Sequence, residues 1–487
     1  MPNLSKAQAA ALAHLVRLTP VIAELGALFG SAGHQLYLVG GSVRDALLDR
    51  LGDDLDFTTS ARPDETERIL RRFTPAVWDI GKAFGTIGGQ KTVPSDDGHD
   101  VEFKIEITTF RADSYDPDSR KPTVEFGDNI DDDLRRRDFT VNAMAIDVVT
   151  ATPKLVDPYG GLDDLADHLL RTPAPPEVSF SDDPLRMMRA CRFASQLMFA
   201  PTPDVRDAMT AMAARIEIVS AERVQAELSK LLLSDNPTPG LALMVATGLA
   251  EYVLPELPAL RLERDEHNHH KDIYEHTLTV LERSIDLEKQ RGHQPDLVGR
   301  LAALLHDIGK PATKRIEAGG KVSFHHHDVV GAKLAKRRLR ALKYSNDVVD
   351  AVVQLVDQHL RFHGYGEAGW TDSAVRRYVR DAGDELERLH ILTRSDCTTR
   401  NPRKAETLRR AYDELEFRID ELRNQEQLDA IRPDLDGTQI MAILGIKPGP
   451  DVGRAYKWLL EKRMDDGPMT EAAATEALKA WWAGQSS

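Results

Sequence analysis

Hydrophobic and polar positions alternate most informatively in Leu36–Phe57, LYLVGGSVRDALLDRLGDDLDF. Leu36–Val39 is a short apolar run with aromatic and β-branched members, the pattern of a buried strand. Gly40-Gly41 interrupts it, and Ser42, read as an N-cap, opens a helix through Leu47 and Leu48. Asp54-Leu55-Asp56-Phe57 then alternates with period two. That predicts a strand with Asp54 and Asp56 on one face and Leu55 and Phe57 in a core. Residues 5 to 30 predict an amphipathic lead-in helix, Ser60–Phe73 a second helix, and the glycine-dense Gly81–Gly89 a mobile loop. Val101–Arg111 reads as a strand with Glu102, Lys104 and Glu106 on one face and Val101, Phe103, Ile105 and Ile107 on the other. From residue 195 the periodicity is helical.

Composition narrows the class. A chain of 487 residues suggests three or four domains. At 41% hydrophobic and 29% charged it is ordinary for a globular protein. No stretch approaches the ~20 apolar residues of a membrane helix, and MPNLSKAQAA lacks the layout of a signal peptide. Cys191 and Cys397 are the only cysteines, so no disulfide framework is expected and the cytoplasm is the default compartment. A net charge of −15 argues against nonspecific coating of nucleic acid. An enzyme holding one RNA through a local basic surface remains compatible; Lys333–Lys343 and Arg400–Arg410 are the candidate stretches.

The chemistry begins at the glycines. Gly40 and Gly41 leave backbone N–H groups free before a helix N-terminus, where phosphate oxygens fit. Two carboxylates on one strand face repel each other, and a shared divalent cation relieves this; hard oxygen ligands suit Mg2+. The arrangement predicts metal-dependent phosphoryl or nucleotidyl transfer. In Asp131–Ala145, DDDLRRRDFTVNAMA, Arg136 and Arg137 can meet triphosphate charge, and Asp138 and Asn142 can hydrogen-bond ribose hydroxyls. Asp183 and Arg186 stand i, i+3 on a helix begun near Pro184. A carboxylate and a guanidinium together can read the shared edge pattern of cytosine and adenine while rejecting uracil and guanine.

In this order and spacing, the motifs resemble the DNA polymerase β-like nucleotidyltransferases. More narrowly they resemble the bacterial-type (class II) tRNA nucleotidyltransferases and their poly(A) polymerase relatives, with their LVGGxVRDxLL…DxDF, E-V-T-T-F-R, DLxRRDFTxNAxA and EDPLRxxRxxRF runs. Here Ile107 replaces the Val of the second run and Asp182 the Glu of the last, one methylene shorter. The resemblance implies Asp54, Asp56 and Glu106 as catalytic carboxylates, with Mg2+ on Asp54 and Asp56. It implies Gly40, Gly41, Arg44, Arg136, Arg137, Asp138, Asn142, Asp183, Arg186 and Arg189 as nucleotide-binding. Gly81–Gly89 is similar to the family's flexible GxxxGT loop, Asp157–Leu165 to its DPxxGxxDL segment, and Asp436–Met441 to a tail segment facing RNA.

A second set of motifs starts near His267 and runs through His276, His306-Asp307, His325-His326-His327, His359 and Asp396. The order H, HD, H, H, D resembles the HD phosphohydrolase superfamily, which implies His276, His306, Asp307, His327, His359 and Asp396 as ligands. His326 stays open as an alternative to His327. Mixed imidazole and carboxylate ligands favour Mn2+, Ni2+, Fe2+ or Zn2+.

The expected fold is α+β. A polymerase-β-like head with a small mixed sheet (35–175) follows the lead-in helix (1–34). After it come an all-α neck and body (176–262), an HD domain (263–400) and a helical tail (401–487). The resemblance implies addition of C, C and A to tRNA 3′ ends from CTP and ATP. A-tailing by a poly(A) polymerase and an HD phosphohydrolase are the alternative readings. No membrane partner is expected, and the sequence is silent on oligomeric state.

Overall fold

The computed structural model describes residues 20–82, 85–94, 100–111, 126–127, 129–150, 153–261, 272–318, 320, 322–362, 371–397, 402–426 and 432–485. The first part of the expected lead-in helix, Ala83 and Phe84 of the glycine loop, the His267–His270 run and Arg400 lie outside these residues. The chain divides into two compact units, Met1–Val253 and Leu254–Ser487. Among the described residues no helix is long and apolar enough to cross a membrane.

The first unit is built on a mixed sheet of order β3-β4-β5-β2-β1-β6-β7. Its strands are β1 (Leu36–Val39), β2 (Asp54–Thr59), β3 (Ala76–Gly81), β4 (Thr86–Pro94), β5 (Asp100–Thr109), β6 (Ala145–Asp147) and β7 (Lys154–Val156). Every residue of β1 is buried, as its unbroken apolar run requires. Tyr37 and Val39 join Phe110, Leu134, Ala143 and Ala145 in one core cluster. Helices α1 (Pro20–Ser31), α2 (Gly41–Leu47) and α3 (Pro63–Phe73) accompany the sheet. The last starts three residues later than Ser60, because Pro63 is fixed for a first turn and Asp64 and Glu65 complement the dipole there. Of the Gly81–Gly89 segment, Gly81 ends β3 and Thr86–Gly89 lie in β4, paired antiparallel to it, so these residues are strand and not loop. Gly88 and Gly89 lie in β4, and a Cβ on Gly89 would stand 2.9 Å from the Leu70 side chain of α3. Beyond the head, α4 (Leu185–Gln196) and α5 (Ala221–Leu232) belong to a helical body.

The second unit is mainly helical. Around one centre stand α6 (Ile273–Gln290), α7 (Leu297–Leu305), α8 (His327–Ala341), α9 (Asn346–Gln358) and α10 (Leu386–Asp396). The charged helix α11 (Pro402–Glu426) follows. The tail helices α12 (Gly437–Leu444), α13 (Pro450–Asp466) and α14 (Glu471–Gln485) share a core of Leu435, Ile440, Ala455, Leu459, Ala474 and Leu478. Asp436 and Gln439 form a reciprocal capping box at the start of α12.

Candidate active site and candidate metal centre

Strands β2 and β5 are parallel, with Asp54 opposite Lys104 and Asp56 opposite Glu106. Period two then places Asp54, Asp56 and Glu106 on one face of neighbouring strands, while Leu55, Phe57, Ile105 and Ile107 are buried. The Asp56 carboxyl is pushed above its ordinary range by desolvation, with Glu106 and Asp54 adding to the effect and Arg137 and Lys104 opposing it. Lys104 Nζ reaches Glu106 at 2.7 Å, so a side chain already supplies one positive charge to the cluster.

The turn before α2 differs from its sequence reading. The cap position belongs to Gly40, at φ 68°, and Ser42 makes no cap hydrogen bond. The Ser42 hydroxyl accepts from the Asp56 N–H at 3.0 Å and donates to the Asp54 carbonyl at 3.3 Å, fastening the glycine turn to the aspartate strand. A Cβ on Gly40 would lie 2.8 Å from Arg137 Nη1, so glycine there serves both the positive φ and the arrival of this arginine. Arg137 also meets Asp133 at 3.1 Å.

Arg44, Asp138, Asn142 and Arg189 form a connected chain of contacts, buried except at Arg189. Arg44 Nη1 donates to Asn142 Oδ1 at 2.6 Å, and Asn142 Nδ2 donates to Asp138 Oδ1 at 3.0 Å. Arg189 pairs with Asp138 Oδ2 at 2.6 Å. Glu227 of α5 takes Arg192 Nε at 2.6 Å and lies 3.7 Å from Arg189. Burial alone would raise the Asp138 carboxyl; Arg189, Asn142 and the Phe139 N–H outweigh it and hold it far below the usual range. Sequence reasoning missed Glu227, although a carboxylate among Val224, Leu228 and Leu231 on an apolar helix face was a usable signal.

Asp183 and Arg186 do not share a helix face. Asp183 is extended at φ −145°, and α4 begins only at Leu185, because Pro184 takes the cap position and Asp183 accepts the Leu185 N–H at 3.1 Å. Asp183 pairs with Arg223 at 2.8 Å, while Arg186 donates to Ser179 Oγ at 2.8 Å and to the Arg136 carbonyl. Asp182 lies beside them with its carboxyl raised by burial, against the pull of Arg186 and Arg136.

In the second unit all six expected residues converge. His276 Nε2 lies 2.9 Å from Asp396 and 3.5 Å from Asp307. His306 Nε2 is 3.2 Å from Asp307 Oδ2, and His327 Nε2 is 3.3 Å from Asp307 Oδ1 and from His359 Nε2. The donors fall into two groups able to hold a metal: His276, His306 and Asp396, and Asp307, His327 and His359. His306, His327 and His359 each turn Nδ1 to the carbonyl three residues earlier, at 2.9, 2.8 and 2.7 Å. Those bonds fix the tautomer that leaves Nε2 as a lone-pair donor toward the centre. His306 Nε2 is buried and makes no hydrogen bond, a state that a metal ligand bond would relieve. These observations fit a bound cation. Burial dominates at His359, holding it down to about 4, whereas Asp307 and Asp396 overcome burial at His306 and raise it. His327, not His326, faces the centre; His326 is the left-handed cap residue of α8 at φ 62°. Sequence reasoning also missed Lys310, whose Nζ is 2.6 Å from Asp307.

Gly309 sets the spacing of this centre. A Cβ there would fall 2.0 Å from the His327 carbonyl oxygen. Gly309→Ala is therefore expected to displace α8, cost ~1–3 kcal/mol in thermal unfolding, and weaken metal uptake in a chelator-competition titration.

Comparison with known proteins follows the same division. Residues 36–171 match the Poly A polymerase head domain, 198–260 the family described as probable RNA and SrmB- binding site of polymerase A, and 273–401 the HD domain. The A-adding tRNA nucleotidyltransferase of Deinococcus radiodurans is 34% identical over 433 residues, covering 88% of this chain and 91% of that protein. The chain belongs to the tRNA nucleotidyltransferase and poly(A) polymerase family. It is a nucleotidyltransferase. Within the family, the CCA-adding enzyme of Geobacillus sp. (strain WCH70) is 40% identical over 235 residues, about half of each chain (48% and 53%). The Bacillus stearothermophilus CCA-adding enzyme in complex with CTP superposes with a TM-score of 0.65 at 25% identity, over 96% of this chain and 99% of that one. The Thermotoga maritima CCA-adding enzyme complexed with tRNA shares the fold, with a TM-score of 0.60 at 18% identity over 97% and 98% of the two chains. The α+β expectation is thereby met: a mixed-sheet head followed by helical domains.

Proposed function

We propose that this nucleotidyltransferase adds C, C and A to the 3′ end of tRNA from CTP and ATP, without a nucleic-acid template. The observation that carries the reading is the register of β2 and β5, which lines up Asp54, Asp56 and Glu106 beside the Gly40-Gly41 turn. Likeness to CCA-adding enzymes in sequence and fold supports it. In this reading Asp54 and Asp56, with Glu106, hold Mg2+. Bound Mg2+ supplies charge that activates the RNA 3′-hydroxyl and steadies pyrophosphate. Arg136 and Arg137 hold the triphosphate, and Asp183 and Arg186 choose the base. Base choice by that pair requires Asp183 to leave Arg223 and Arg186 to leave Ser179. Gly41, at the helix N-terminus, can present a backbone N–H to phosphate, whereas the Gly40 N–H already donates to the Met144 carbonyl at 3.3 Å and Gly40 serves by close approach. Arg44, Asp138, Asn142 and Arg189 complete the nucleotide-binding set, placed by their mutual contacts.

A relative matched over 88% of the chain is named an A-adding tRNA nucleotidyltransferase, which favours a second reading: addition of A to tRNA ends that already carry CC. One experiment separates the readings. With Mg2+ and labelled CTP and ATP, a tRNA lacking its last three nucleotides is expected to gain C, C and A in order. Growth only of a tRNA ending in CC would establish the A-adding reading, and long A tails a poly(A) polymerase.

For the second unit we infer that His276, His306, Asp307, His327, His359 and Asp396 hold Mn2+, Ni2+, Fe2+ or Zn2+. Such an ion would lower the pKa of a water that attacks phosphorus. Added Ni2+ or Mn2+ at a hundredfold excess over its dissociation constant is expected to stabilise the protein by about 2.7 kcal/mol. A thermal shift lost in His306→Ala checks this. The division at 35–175, 176–262, 263–400 and 401–487, the tail facing RNA, and a cytoplasmic setting complete the proposal. Two free thiols, Cys191 and Cys397, support that setting.

A further inference from the structure

Of the two basic stretches in the second unit, one has its last two arginines paired within their own helix. On α11, Arg409 and Arg410 reach Glu406 at 2.9 and 2.8 Å, and Arg409 lies 3.5 Å from Asp413. Helix α8 is different. Arg338 turns inward to Glu256 at 2.8 Å, and Lys336 lies 3.7 Å from Asp350. Lys333, Arg337 and Arg340 are exposed, and among the described residues none of them has an ion pair or a side-chain hydrogen bond. Their spacing of i, i+4 and i+7 makes one stripe along the helix. Exposed Lys343 extends it just beyond the last turn. No Asp or Glu occurs between Val329 and Asn346, so no carboxylate on this stretch of the helix offsets these charges. Complementing the helix dipole accounts for cations in the last turn alone; Lys333 and Arg337 precede it.

In a chain of net charge −15, most of the surface repels a polyanion. An uncompensated cationic stripe is then the surface where one can settle. From Lys333 to Arg340 it spans ~10 Å at the rise of an α-helix, long enough to meet consecutive phosphates. Two of its three helical members are arginines, whose forked donors match phosphate oxygens. We propose that the Lys333–Arg337–Arg340 stripe of α8 binds RNA phosphates, as a surface distinct from the carboxylates that transfer nucleotides. The proposal rests on the reading that the enzyme acts on RNA, and it assigns a place where that RNA is held.

The test uses the full chain with Lys333, Arg337 and Arg340 all changed to Gln, its fold checked by circular dichroism. Binding of a tRNA lacking its last three nucleotides is read by fluorescence anisotropy between about 50 and about 200 mM salt. The triple variant is expected to bind about tenfold more weakly. Its slope of log K against log salt should fall by about 2 to 3, the release expected for three lost phosphate contacts. The KM for tRNA should rise by the same factor, with the KM for CTP unmoved. An Arg409→Gln, Arg410→Gln variant is expected to change affinity less than about twofold, because its charges are already paired. Unchanged affinity and slope in the triple variant overturns the proposal. So does an equal loss in the control, which would mean net charge alone, or competition by polyglutamate as strong as that by tRNA, which would mean an acidic protein partner. If wild type binds tRNA through the stripe yet adds no nucleotide, the functional reading fails and the proposal stands.

Discussion

Asp56→Ala is expected to lower nucleotide incorporation by at least about a thousandfold, ~4 kcal/mol of lost transition-state stabilisation, while leaving the fold intact. Asp56 lies between Asp54 on its own strand and Glu106 opposite it, on a face that no apolar side chain of β2 shares. Desolvation first, and then repulsion from Glu106 and Asp54, raise its carboxyl above the ordinary range at that position. A group held at such a cost contributes little to folding, so its removal relieves strain in the protein that carries no cation. The melting temperature without Mg2+ should therefore stay level or rise, and the Mg2+-dependent increase should shrink. Incorporation of labelled ATP and CTP, with thermal unfolding run with and without Mg2+, reads both effects. Activity within tenfold of wild type would remove Asp56 from the chemistry and with it the reading of the head as the transferring site. Conversely, a large loss of melting temperature would make Asp56 a structural residue.

Much of this was legible because period-two alternation and turn residues act over a few positions. The buried β1, the outward pair Asp54 and Asp56 and the face of Glu106 all followed from local pattern. The six residues of the HD centre followed from motif order: helix ends at Leu305, Gln358 and Asp396 deliver His306, Asp307, His359 and Asp396, and the first turns of α6 and α8 deliver His276 and His327. Sequence could not tell which polar side chains spend their hydrogen bonds inside the protein. Ser42 looked like a cap because its position suits one, yet the antiparallel pairing of β1 with β2 brought two β2 backbone groups within reach of its hydroxyl. Asp183 looked helical by spacing, but Pro184 ended that possibility one residue later. The partners Asp138 and Asn142 take inside the protein, Arg189 and Arg44, lie 51 and 98 positions away in the chain. Long-range partnership leaves no local trace, except where a charge such as Glu227 interrupts an apolar stripe.

That partnership carries the other large expectation. Arg189→Ala leaves Asp138 buried, at 7% exposure, with Asn142 and a backbone N–H but without its compensating charge. Breaking one side of a buried pair costs ~3–5 kcal/mol, because the remaining ion is neither hydrated nor paired. Thermal unfolding should therefore fall by on the order of 10 °C. Asp138→Asn keeps the shape and removes the charge, so the Arg189→Ala, Asp138→Asn double variant should recover part of the loss, and a double-mutant cycle gives the coupling. The pH dependence has a definite sign. The folded Asp138 carboxyl is held below its unfolded value, so its contribution is complete above ~4 and is lost as the pH falls toward the folded value. Wild type should accordingly lose stability between about pH 5 and pH 3 more steeply than Asp138→Asn. Equal slopes would mean that Asp138 carries no depressed carboxyl. The same variants test function, because Asp138 binds Asn142, and Asn142 binds Arg44 in the helix that follows the glycine turn. If the network positions that turn, Asp138→Asn raises the KM for CTP and ATP more than it lowers kcat; a direct ribose contact made only in the transition state would lower kcat instead.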